Sequence, residues 1–167
     1  AVWENGSRHI TNNKHPINTP EDLQGIKLRV PEGKWRVKMF QAYGANPSPM
    51  KFSELFTALQ TGVMDGQENP FTQIYSAKLQ EVQKYLSLSN HVYTPAYLIV
   101  GKNHWNALPA DVRKVLEETA KETQAFVYQT ASKEEDALLA KLKAGGIQVN
   151  SPNKDAFIAA SKPVYEE

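Results

Sequence analysis

The sequence predicts an α/β fold with a largely parallel sheet, and three observations support this expectation. Strand-like and helix-like segments alternate from the N-terminus to Val100, which is typical of strands joined by crossover helices. Apolar residues recur at helical spacing between Gly and Pro stops. A later run, 110–144, contains neither Pro nor Gly and predicts one long helix of about 50 Å.

Local signals set the bounds of the individual elements. Thr19-Pro20-Glu21-Asp22 is a helix start with Thr as N-cap, and Gly25 ends that helix after little more than one turn. Alternation in Ile26–Val30 predicts a strand that Pro31 ends. The other predicted elements are helices at Trp35–Tyr43, Phe52–Leu59, Ile74–Val82 and Asp155–Lys162, an extended segment at Asn46–Pro49, and strands at Tyr85–Ser89, Tyr93–Val100 and Ile147–Asn150.

Composition excludes several classes of function. A chain of 167 residues suggests one domain or two small lobes, and 41% apolar with 22% charged residues is typical of a globular protein. Lys and Arg total 19 against 18 for Asp and Glu, so bulk charge does not favour nucleic acid or an anionic membrane. No apolar run approaches the ~18 residues of a membrane span. The absence of Cys excludes disulfides, thiolate metal sites and a Cys nucleophile.

The stretch MDGQENP, Met64–Pro70, concentrates two carboxylates and two amides. This chemistry suits a metal site, an acid/base pair, a ligand clamp or a loop that caps the next helix. Asn69 precedes Pro70 and is a natural N-cap, so local chemistry favours capping over metal binding. The chain lacks the G-x-S-x-G, H-E-x-x-H and P-loop patterns, and its four His residues occur singly, which disfavours catalysis.

Arg29 lies near the end of a predicted strand, in LRVP. In an exposed edge strand its side chain would simply be solvated. In a parallel sheet covered on both faces, a charged residue at this end points to the ligand crevice. A guanidinium also matches a carboxylate with two hydrogen bonds. The residues alone leave both interpretations open, and they also leave Trp35 and Phe52 open as core residues.

Four segments together resemble the solute-binding proteins of tripartite ATP-independent periplasmic (TRAP) transporters, of the dicarboxylate-receptor type. The resemblance covers nearly the whole chain, and ALQTGVMDGQENP following LRVP is its most specific part. The segments are G-x-R-x-x-T at Gly6–Thr11, TPEDLQGIKLRVP at Thr19–Pro31, YGANPSPMKFSELFTALQTGVMDGQENP at Tyr43–Pro70, and EVQKYLSLSNH at Glu81–His91.

The resemblance implies a set of ligand-binding residues. The LRVP arginine, Arg29, is expected to pair with the ligand carboxylate, and Asn69 of QENP to hydrogen-bond it. Arg8 of the G-x-R segment is the expected second arginine, and Phe52 the aromatic residue against the ligand. Glu32 departs from relatives that carry Asn after LRVP, and the nearby Trp35 is expected to replace part of that contact, favouring a bulkier or aromatic acid.

The resemblance also implies a function and a domain organisation. It implies a periplasmic receptor, not an enzyme, that binds an organic acid and delivers it to a TRAP membrane permease. No cofactor is expected, and no residue of the chain is assigned to a metal. Family members are nearly twice as long and close two α/β lobes around the ligand, so the first lobe is expected to be largely missing from this chain. Residues 1–94 and 135–167 should form the second lobe, and 95–134 the stretch that visits the first, with 110–144 as the long kinked helix bridging them.

Two alternatives belong to other classes of function. A metal-assisted enzyme would use Asp65, Glu68 and His91. An interaction or sensor module would hold no ligand of its own.

Overall fold

A six-stranded mixed sheet organises the chain in the computed structural model, which describes residues 1–166. The predicted α/β class is confirmed. The strands are β1 (Val2–Trp3), β2 (Ser7–Asn12), β3 (Lys27–Val30), β4 (Asn46–Pro49), β5 (Gly66–Asn69), β6 (Tyr85–Tyr93), β7 (Ala96–Tyr97) and β8 (Gln148–Asn150). The helices are α1 (Lys34–Ala42), α2 (Phe52–Gln60), α3 (Phe71–Ser76), α4 (Lys102–Ala107), α5 (Ala110–Ala144) and α6 (Lys154–Tyr165), with 3₁₀ turns at Pro20–Leu23 and Leu79–Glu81.

Strand direction brings several strand ends to one edge of the sheet. The order is β4-β3-β5-β2-β6-β8, in which β2 runs antiparallel to both neighbours and the other pairs are parallel. The carboxyl ends of β3, β5 and β6 therefore meet the amino end of β2. Strands β1 and β7 pair separately.

Apolar cores cover both faces of the sheet, as the prediction for Arg29 requires. One core joins α1 and α6 to the sheet and includes Ile10, Leu28 and Phe40. The other joins α2, α3 and the end of α5 to it and includes Leu55 and Leu142. Because β3 lies between β4 and β5, Arg29 is on an interior strand.

The stretch MDGQENP is not the turn and loop that its local chemistry predicts. Gly66–Asn69 form β5, and all four of its residues are buried. A Cβ at Gly66 would lie 2.3 Å from the Thr11 carbonyl oxygen, so glycine permits the approach of β2. The expected N-cap role of Asn69 is wrong as well, because α3 starts one residue later and its N-cap is Pro70. Polar pairing inside the sheet outweighs the turn propensity of these residues.

A bulge interrupts β6 opposite the amino end of β2. Arg8 pairs with Val92 and Ile10 with Ser87, so residues 88–91 face His9 alone. Asn90 adopts a left-handed φ of 46°, a conformation that Asn tolerates better than most residues. His91, within the bulge, contacts Glu68 of β5.

The predicted long helix is present as α5 with the expected bounds, Ala110–Ala144. Among the described residues of α5 only Leu138 and Leu142 are buried, near its carboxyl end. Leu116 and Phe126, in its first half, are exposed. In the part of the chain that the structure describes, no helix combines the length and apolarity of a bilayer span.

Other elements differ locally from the predictions. The helix expected at Ile74–Val82 ends at Ser76, and a 3₁₀ turn follows after Lys78, which adopts a left-handed φ. The strand expected from Tyr93 to Val100 is reduced to β7 because β6 extends to Tyr93 and Pro95 interrupts pairing.

Candidate functional site

A buried carboxylate, Glu68 on β5, is the centre of the candidate site. Its side chain is fully buried and accepts hydrogen bonds from three basic residues. Arg8 donates to both oxygens, at 2.5 Å from Nε and 2.9 Å from Nη2. Arg36 Nη1 and His91 Nε2 each lie 2.9 Å from Oε2. Glu68 thus joins three elements through their basic side chains: β2 through Arg8, α1 through Arg36 and the bulge of β6 through His91.

The partners of Glu68 fix its ionisation state. Burial alone raises the pKa of this carboxyl, but the hydrogen bonds from His91 and Arg8 outweigh burial and lower it to about 2. Burial lowers the pKa of His91, against the opposing effect of Glu68. His91 is therefore neutral, with Nε2 donating to Glu68 and Nδ1 accepting from the Ser89 hydroxyl at 2.7 Å.

Arg29 is buried at the same edge, at 3% exposure. Its Nε and Nη2 donate to the Met50 carbonyl at 2.9 and 2.6 Å, and its guanidinium lies 5.9 Å from the centre of the Phe52 ring. Within residues 1–166 it forms no salt bridge. Burial lowers the pKa of Arg29, which Glu68 opposes and Arg8 reinforces.

Positive charge is in excess at this edge. Arg8, Arg29 and Arg36 carry three positive charges against the single negative charge of Glu68, which leaves a net charge of +2. Burial also lowers the pKa of Arg36, although the negative charge of Glu68 opposes this shift. Arg8 and Arg29 are buried and Arg36 is only partly exposed, so water solvates this excess charge poorly, which favours a further anion.

A chain of amide hydrogen bonds orients Asn69. Its Oδ1 accepts from Arg8 Nη2 at 3.0 Å, and its Nδ2 donates to Gln67 Oε1 at 2.5 Å. Gln67 Nε2 donates to the Thr11 hydroxyl at 2.9 Å, which donates to Gln83 Oε1 at 2.8 Å. Each amide orientation follows from the previous one, so the second N–H of Asn69 points in a fixed direction.

The structure brings together four of the five residues that the sequence predicts for the site. Arg8 contacts Asn69, and Arg29 contacts Phe52, which is 43% exposed. Trp35 is separate from them. It is 53% exposed, with the ammonium groups of Lys34 and Lys38 at 5.0 and 5.7 Å from its ring centre.

Sequence reasoning missed Arg36 as a member of the site. A usable signal was present, since Arg36 precedes the buried Phe40 by four residues and so lies on the same face of α1. The alternative metal site is not assembled. Glu68 and His91 are in contact, but Asp65 instead accepts from Lys27 N and pairs with Lys14. No three metal-ligating side chains cluster within residues 1–166.

His9 adds a second buried titratable group. It is 2% exposed and stacks on Phe71, with ring centres 4.2 Å apart. Neither ring nitrogen has a hydrogen-bond partner among the described residues. Burial, with smaller contributions from His91 and Lys154, lowers the pKa of His9 to about 4, so its ring is neutral at pH 7.

An α/β sheet with charged and hydrogen-bonding side chains at its strand ends is typical of a small-molecule binding lobe. The chain belongs to the bacterial extracellular solute-binding protein family 7, whose sequence profile matches residues 1–167. The predicted family resemblance is therefore confirmed.

Curated relatives are similar over most of this chain. The 2,3-diketo-L-gulonate-binding periplasmic protein of Escherichia coli is 36% identical over 89% of this chain and 45% of its own length. The C4-dicarboxylate-binding periplasmic protein of Rhodobacter capsulatus is 36% identical over 100% of this chain and 51% of its own. The chain thus spans about half the length of these relatives.

Solved structures agree with the fold. A TRAP periplasmic solute-binding protein from Polaromonas, bound to D-erythronate, has a TM-score of 0.94 and 40% identity, covering 99% of this chain and 55% of that one. One from Sulfitobacter, with bound β-D-galacturonate, has a TM-score of 0.96 and 34% identity at the same coverage.

Replacing Glu68 by Gln should destabilise the protein by about 3–5 kcal/mol, because Arg8 and Arg36 would then be buried without a counter-charge. Denaturant unfolding measures this loss. Glu54→Gln, which removes an exposed carboxylate from α2, is the control and should change stability by less than about 0.5 kcal/mol. Equal stability of Glu68→Gln and wild type would contradict the central role of this carboxylate.

Acid should destabilise the fold through His9. The unfolded chain binds a proton near pH 6.5 and the folded chain near pH 4, so stability is full above pH 6.5 and is lost as the pH falls toward 4. The loss is at most about 3 kcal/mol. His9→Phe keeps the stack on Phe71 and should flatten part of the curve of melting temperature against pH. His15→Gln, at an exposed site, is the control and should leave this curve unchanged. A variant profile as steep as that of wild type would refute this assignment.

Proposed function

We propose that this chain forms one ligand-binding lobe of a receptor that captures an organic acid through its carboxylate. The observation that carries the proposal is Arg29, a buried guanidinium with no acidic partner within residues 1–166. It lies at the strand ends, where the other arginines already exceed the available negative charge. A ligand carboxylate supplies the missing counter-charge.

Three hydrogen-bond donors at this edge are available for the carboxylate. Within the described residues, Nη1 of Arg29 and Nη1 of Arg8 have no acceptor, and Asn69 has a second N–H beyond the one that Gln67 accepts. These groups form the proposed carboxylate clamp, and the Phe52 ring lies against the ligand. Trp35 is proposed to contact the body of the acid at the rim.

The relatives support this ligand class. Their names and bound molecules include a C4-dicarboxylate, D-erythronate and β-D-galacturonate, all of which carry a carboxylate. In the proposed function the receptor works in the periplasm without catalysis and hands the acid to a TRAP permease. Family membership supports both the periplasmic location and the delivery to a permease.

We further propose the division of the chain into lobes that the sequence suggests. Residues 1–94 and 135–167 form this lobe, and residues 95–134 pack against a part of the protein outside this chain. The exposed apolar side chains of this stretch support the division, since Ile99 is 85% and Leu116 46% exposed. They line a groove of about 450 Å³ with Trp105 and Ala120.

Arg29→Gln should weaken carboxylate binding by about 2–5 kcal/mol, because it removes the counter-charge of the ligand carboxylate. Arg29→Lys keeps the charge but loses the planar guanidinium that the Met50 carbonyl orients, so we expect a smaller loss of affinity that still exceeds the experimental error. Titration calorimetry on the full-length protein with D-glucuronate, D-galacturonate and D-erythronate measures both, with D-glucose as the uncharged control.

Lys27→Gln is the matched variant for this experiment. It removes a cation from the same strand at its opposite end, where the Lys27 ammonium donates to the Gly62 carbonyl. Its affinity should equal that of wild type. Unchanged affinity in both Arg29 variants would refute the clamp.

Leu116→Asn tests the division into lobes. In the full-length protein it should destabilise by about 1–3 kcal/mol, because a polar group would enter a buried contact. Lys114→Gln, two residues earlier on the same helix, should stay within about 0.5 kcal/mol of wild type. If thermal unfolding shows no difference between the two variants, residues 95–134 are not covered as proposed.

A further inference from the structure

A groove of about 430 Å³ lies between α1 and α6, on the side of Glu68 where Arg36 approaches. Its walls are mostly apolar. The lining side chains are Trp35, Met39, Val92, Val164, Tyr165 and, as the charged member, Arg36. Ser161 also lines the groove, but its hydroxyl already donates to the Phe157 carbonyl and bonds the Tyr43 hydroxyl.

Arg36 gives this groove a cationic end. Its side chain is 17% exposed, and Nη1 is held at 2.9 Å from Glu68. Within residues 1–166 its Nε and Nη2 have no acceptor. The single charge of Glu68 is shared with Arg8, so Arg36 is only partly neutralised.

The outer part of the groove is aromatic and open. Tyr165 is 85% and Trp35 53% exposed, so both rings are accessible at the mouth of the groove. The ammonium of Lys34 lies 5.0 Å from the Trp35 ring centre, close enough for a cation–π contact that orients the ring. The volume suits one small planar body.

We propose that this groove is a second binding site, for a small carboxylate with an apolar planar body. The carboxylate binds the two unused donors of Arg36, and the body lies between Trp35, Val164 and Tyr165. Charge complementarity selects an acid over a neutral molecule, and the apolar walls select against a small acid that lacks such a body. The site shares Glu68 and the Trp35 ring with the proposed clamp at Arg29 but uses different donors.

Titration calorimetry on the full-length protein tests the proposal with 3-phenylpropionate, its neutral amide 3-phenylpropionamide, and acetate. We expect binding of 3-phenylpropionate and a loss of roughly 10- to 100-fold for the amide, since a charge-assisted hydrogen bond is lost. Acetate should bind no better than the amide. Arg36→Gln should weaken binding of 3-phenylpropionate by the same factor.

Two further variants separate this groove from the clamp and from a folding defect. Val164→Phe fills the groove without touching its charge and should abolish binding, while Arg113→Gln, which removes an arginine from α5, should have no effect. Arg29→Gln should retain binding of 3-phenylpropionate. Loss of binding in Arg29→Gln with retention in Arg36→Gln would place the probe on the clamp and overturn the proposal. Equal binding of acid and amide, or no binding of the acid, would overturn it as well.

Discussion

The burial of one carboxylate, Glu68, constrains the rest of this lobe. A fully buried carboxylate is costly unless hydrogen bonds and opposite charges surround it. Arg8, Arg36 and His91 supply these, and they come from three different elements. Strand β2, helix α1 and the bulge of β6 must therefore keep their positions relative to β5. The ion network makes the packing of this edge specific rather than simply apolar.

The backbone of the sheet is adapted to this cluster. Gly66 lets β2 approach β5, which puts Arg8 within reach of Glu68. The bulge in β6 places residues 88–91 opposite His9, and from it the His91 side chain reaches Glu68. The amide chain from Gln83 to Asn69 then fills the neighbouring positions with satisfied polar groups. A central strand composed of Gly, Gln, Glu and Asn is stable here because its partners are polar too.

These adaptations explain what the sequence predicts well and what it does not. Helices with regular apolar spacing, such as α2 and the 35-residue α5, have the expected bounds because local spacing determines them. Strands β2 and β5 have no apolar alternation, and the local sequence of β5 predicts a loop. Both strands are stabilised by pairing with residues distant in the chain, which local spacing does not reveal. Arg8, Arg29, Asn69 and Phe52 were predicted through the family resemblance. Arg36 lies between the family segments, outside all of them, and only its helical spacing from Phe40 indicates that it points inward.

The arginines differ in how much of their charge the fold uses. Arg8 is held by both oxygens of Glu68 and by two further acceptors, so most of its donors serve the structure. Arg29 is held only by a carbonyl, which fixes its direction without neutralising it. Arg36 is intermediate, with one donor on Glu68. A carbonyl anchor keeps a buried guanidinium oriented while its charge stays unpaired, and in the proposed function an anion from outside the fold supplies the missing counter-charge. In that proposal, the degree of neutralisation rather than burial separates an arginine that stabilises the lobe from one that binds a ligand.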